Sequence, residues 1–142
     1  MFTRRLRILL YIATTQGLIL GVYHLILPHQ WGWAQGVASA PEVLQWALFA
    51  LNDMWSMAII VLHLTFLFTL VKRLPESSLL MAQILGIYWL LHTLILIIRP
   101  LPLPEGFAYV AWIAMAVPIM LCAAYGLGAR KLNLIISNSN TI

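Results

Sequence analysis

Four uninterrupted apolar runs leave this chain few folds to choose from. A helix crossing a bilayer needs roughly 20 mostly apolar residues to pass about 30 Å of hydrocarbon. Residues 6–27, 43–71, 78–98 and 107–127 each meet that requirement. Barrel strands would alternate polar and apolar residues, whereas Leu90-Leu91 and residues 94–98 are apolar on every side. The expected fold is all-α, a bundle of four transmembrane helices forming one domain over residues 1–142. The second run exceeds what a perpendicular helix needs, which predicts a tilt or a start among the lipid headgroups.

Composition removes the alternatives. Of 142 residues, 63% are hydrophobic and 8% charged, against about 45–50% and about 25% in a soluble domain. Twelve charged side chains do not cover the surface of a water-soluble protein this long. Disorder is excluded by the same numbers, and a disulfide scaffold by a single cysteine, Cys122. The net charge of +4 reflects scarce acids rather than a basic face, so nucleic acid is not an expected partner. The lipid bilayer is.

Basic residues then orient the chain. Arg4, Arg5, Arg7, Lys72, Arg73, Arg130 and Lys131 all fall on one side of the expected membrane, and Arg99 alone on the other. The positive-inside rule puts both termini in the cytoplasm. Arg4, Arg5 and Arg7 before an apolar run, with Ala38-Ser39-Ala40 further on, resemble a signal peptide. The run is of spanning length and the small-residue motif lies far beyond it, so a retained first helix is expected. Of the outer loops, residues 28–42 carry Trp31 and Trp33 for the interfacial belt. The other is stiffened by Pro100, Pro102 and Pro104. The chain beyond Lys131 ends in the polar stretch Ser137-Asn138-Ser139-Asn140, which is expected to be frayed or held only by a partner.

Small residues one turn apart, Gly17 and Gly21, Ala82 and Gly86, Ala124 and Gly128, let backbones approach closely. Packing among the four helices explains them more simply than a partner does. Pro118 should disturb the fourth helix, because it removes one backbone donor.

Polar residues at depth are the informative ones. With a rise of 1.5 Å per residue, His24 lies about 25 Å above Arg7, Asp53 about 28 Å above Lys72, and His92 about 25 Å above the hairpin at Arg73. Three ionisable groups from three helices therefore share the outer third of the membrane, while His63 sits about 14 Å above Lys72. Intramembrane ionisable residues face a bundle interior or a partner. Two imidazoles and a carboxylate at His24, His92 and Asp53 suit a metal such as zinc or iron. His24 and His92 suit haem as axial ligands, and the trio suits a quinone head group with proton relay. Pairing of Asp53 with a histidine or Arg99, as glue between helices, is the simpler alternative. His63 suits haem or a chlorophyll-type magnesium, or a plain hydrogen bond to a carbonyl. No metal-ligand spacing such as H-E-x-x-H or C-x-x-C accompanies these residues, and no enzyme motif is present.

Residues 46–52, Trp-Ala-Leu-Phe-Ala-Leu-Asn, and residues 88–92, Tyr-Trp-Leu-Leu-His, resemble small uncharacterised bacterial membrane proteins with four helices. That resemblance implies a four-helix bundle in a bacterial inner membrane and carries no activity with it. The first functional expectation is a non-catalytic accessory or structural subunit of a larger membrane assembly, plausibly a respiratory or photosynthetic one. The second is a redox or proton-handling protein using His24, Asp53 and His92. The third is a small transporter with Asp53 as its coupling residue.

Overall fold

A computed structural model describes residues 3–99 and 108–139; the proline-rich loop with Glu105, the start of the fourth run at Phe107 and the last residues from Asn140 lie outside the described residues. Within them the chain is helical, without a strand. The elements are α1 (Arg4–Gln30), α2 (Trp33–Gly36), α3 (Glu42–Val71), α4 (Pro75–Ile98) and α5 (Ala108–Ser139). α1, α3, α4 and α5 are long and apolar enough to cross a membrane.

Local chemistry sets most helix ends. Thr3 caps α1, its hydroxyl accepting from the Leu6 amide at 3.3 Å, which satisfies one of the donors left open at a helix start. Just beyond α1, Gly32 takes φ 60°, the left-handed conformation that glycine adopts without steric cost. α2 is a single turn in the expected interfacial segment, and Trp33 lies near Phe49 of α3, with ring centroids 6.4 Å apart. The Gln45 side chain donates back to the Ala40 carbonyl at 2.8 Å, tying α3 to that segment.

The α3–α4 hairpin is closed by a Schellman motif. The Leu74 amide donates to the Thr69 carbonyl at 3.0 Å and the Arg73 amide to Leu70 at 3.3 Å. Both bonds require a left-handed residue at Arg73, which has φ 56°. Pro75 then opens α4, where its missing N–H costs nothing. Across the hairpin the Ser78 hydroxyl donates to Thr69 at 3.1 Å, and Thr69 donates to the Phe66 carbonyl.

α5 departs from expectation. It continues past residue 127 to Ser139, so the stretch after Lys131 is helix rather than fray. Gly128 does not stop it, because the residue lies in a helix contact where Leu10 occupies the space of a Cβ. Leu132 is fully buried one turn later, and Ile135 packs on the core. Tertiary packing therefore extends a helix whose sequence turns polar only at Ser137.

α1 packs on α3 and α5, and α4 packs on α5 and α3. The helices thus run round a square in which α1 and α4 face each other across a diagonal. Burial follows three- and four-residue stripes: Leu6, Leu10, Ala13, Gly17 and Gly21 on α1, then Ser56, Ile59, His63, Phe66 and Leu70 on α3. Ser78, Ala82, Leu85, Trp89 and Thr93 continue it on α4. The remaining faces are apolar and exposed, as in Trp46, Met54 and Trp112. Most buried side chains lie from mid-bundle toward the end that carries the basic residues. Toward the opposite, far end the core thins.

Candidate functional site

Two histidine layers cross the bundle, one in its packed middle and one toward the far end. In the middle, His63 is fully buried. Its Nδ1 lies 2.7 Å from the Ile59 carbonyl of its own helix. A carbonyl only accepts, so Nδ1 carries the proton. The lone pair on Nε2 then accepts from the Trp89 indole, Nε1 to Nε2 at 3.4 Å. Both ring nitrogens are thereby engaged by protein groups, and an axial metal would have to displace Trp89. Trp89 and Tyr125 pack edge-on to the imidazole, each with its centroid 5.9 Å away. A Cβ on Gly17 would overlap the His63 ring, so glycine there is what admits the imidazole.

The small-residue pairs sit in this framework. Gly21 lies against Ile59 and Ile60 of α3, Gly86 against Tyr125 of α5, and Ala82 and Ala124 are buried between α4 and α5. Tyr125 is buried with its hydroxyl facing Thr14 of α1, whose own hydroxyl donates to the Leu10 carbonyl at 2.6 Å.

The second layer lies two turns further along α1 and one turn further along α4. His24 and His92 meet across the diagonal with ring centroids 6.5 Å apart and planes perpendicular. His92 lies nearly parallel to two rings, Trp55 at 6.1 Å and 24°, and Tyr88 at 6.4 Å and 18°. Trp55 and Tyr88 are themselves 5.1 Å apart. Trp89 closes the floor, its ring 5.5 Å from His92, so one indole touches both layers. Asn52 fixes α3 against α1 by donating from Nδ2 to the His24 carbonyl at 2.9 Å.

Polar groups in this layer are less completely used. Neither imidazole has a protein hydrogen bond to its ring nitrogens among the described residues. The Tyr88 hydroxyl is buried and without a hydrogen-bond partner there. The Tyr125 hydroxyl of the middle layer is likewise buried without a hydrogen-bond partner among the described residues, although Thr14 stands beside it.

Of the three residues expected to share this depth, the structure brings His24 and His92 together, while Asp53 is exposed on α3. Among the described residues, no group of three His, Cys, Asp or Glu side chains is placed to hold a metal ion. The walls of the layer are Trp55, Tyr88 and Asn52, which depth along the helices already places near the two histidines. Register agrees: Asn52 continues the buried stripe of Ser56, Ile59 and His63, and Tyr88 stands one turn before His92. Comparison with protein-family models, with curated proteins and with solved structures finds no match to this chain.

Proposed function

We propose that this protein spans a bacterial inner membrane four times, with both termini cytoplasmic. It binds a lipid-soluble cofactor or substrate of redox or proton-handling chemistry in the outer half of the bundle. The observation that carries this reading is the convergence of His24 and His92 on a wall of flat rings at Trp55 and Tyr88. Imidazole nitrogens that the protein leaves without a hydrogen bond gain from a partner. In this layer the protein does not supply it. Haem, a metal and a quinone are the groups whose chemistry suits two imidazoles.

Purification in mild detergent tests the reading. The spectrum of the protein and of its organic extract should reveal a bound chromophore that falls away in His24→Ala and His92→Ala. A colourless protein with an empty extract, unaffected in thermal stability by added haem, divalent metal or quinone, would overturn it.

Membership of a larger membrane assembly is a second reading, supported by Asp53. That carboxylate lies on the exposed side of α3 among apolar neighbours, including Met54 and Met57. A carboxylate facing lipid at mid-depth costs about 2.5–3.5 kcal/mol, less near the interface, and a donor on a neighbouring subunit removes that cost. Asp53→Asn should then weaken a co-migrating complex on native gels without unfolding the chain. Transport draws no support from Asp53, which stands outside the bundle interior.

A further inference from the structure

The unpartnered Tyr88 hydroxyl narrows the ligand class within the reading above, on which the following rests. A buried hydroxyl without a partner costs about 1–3 kcal/mol, so such groups in a folded protein ask for an explanation. Tyr88 belongs to α4 one turn from His92, and its ring lies nearly parallel to that of His92 and tilted by 34° to that of Trp55. It therefore offers a proton donor at the edge of a flat aromatic wall, beside two imidazoles.

We infer that the ligand is a quinone or quinol. Its flat ring lies against the Trp55, Tyr88 and His92 wall, and its ring oxygen accepts from the Tyr88 hydroxyl. A planar ring matches the near-parallel faces at His92, its oxygen matches the Tyr88 donor, and an apolar tail matches the Leu and Ile side chains of the helices. Haem uses the two imidazoles but has no use for the phenol. A divalent metal would require a third ligand that the described residues do not bring near.

The test is a titration of the purified full-length chain in detergent with a decyl-substituted benzoquinone, read by quenching of tryptophan fluorescence. The wild type should show saturable quenching. His92→Ala should abolish it, and Tyr88→Phe, which keeps the ring, should raise Kd about tenfold. Ligand-free Tyr88→Phe should melt no lower than wild type, because it loses a hydroxyl that has no partner. Saturable quenching that needs His92 but is unchanged in Tyr88→Phe overturns the quinone geometry and leaves a ligand site. Absence of saturable quenching, with haem bound in a manner dependent on His24 and His92, overturns the quinone class alone. Failure of both ligands overturns the class and the ligand site together.

Discussion

His63 and the pair His24 and His92 are the same side chain in the same bundle, yet they are held in opposite ways. Around His63 the protein completes the chemistry: Ile59 takes the Nδ1 proton, Trp89 fills the Nε2 lone pair, and Gly17 makes the room. Around His24 and His92 it supplies flat rings and, among the described residues, leaves nitrogens and a phenol without partners. The contrast teaches how to separate structural from functional polarity in an apolar helical bundle. An imidazole that the protein satisfies itself belongs to the fold, and one that it leaves open is available to a ligand. Trp89 joins the two, since it donates to His63 on one side and faces His92 on the other.

Substitutions can break or sharpen this contrast. The largest effect is expected at His63→Ala, which opens a cavity and strands the Trp89 N–H, a loss of about 3 kcal/mol or more. Denaturation in mixed micelles followed by circular dichroism would measure it. Gly17→Ala should cost about 1–3 kcal/mol, because the added methyl forces the imidazole off its two hydrogen bonds. If Gly17→Ala proves silent in the same assay, the middle layer is looser than its geometry implies. Trp89→Phe keeps a ring but leaves Nε2 without a donor, and about 1–2 kcal/mol should follow. It should also disturb ligand binding, because the same indole floors the outer layer. Asp53→Asn should change the stability of the isolated chain by no more than about 0.5 kcal/mol. A larger loss would place that carboxylate in an interaction inside the bundle.

Much of the fold was legible because apolar run length is a strong signal. The four long helices fall where the runs lie, and their buried stripes follow small and apolar residues at three- and four-residue spacing. The end of α5 was not legible, because the apolar run closes at Leu127. The close approach expected at Gly128 is there, against Leu10, and burial of Leu132 carries the helix on. Depth along each helix identified His24 and His92 as neighbours, and they meet. Depth also suggested Asp53, but it fixes height and not azimuth. One residue along a helix turns a side chain by 100°, which moves Asp53 off the stripe that Asn52 continues. The saturation of His63 was the least readable feature. It depends on an indole 26 positions away and on a glycine in another helix.

The central claim is that the middle histidine layer belongs to the fold and the outer one does not. Unfolding of ligand-free His63→Ala and of the double variant His24→Ala/His92→Ala, compared side by side with wild type in the same detergent, tests it most directly. The account predicts a loss of about 3 kcal/mol for the first and less than about 1 kcal/mol for the second. Equal losses in the two proteins, or a larger loss in the double variant, would mean that the outer layer is core as well and would contradict the account.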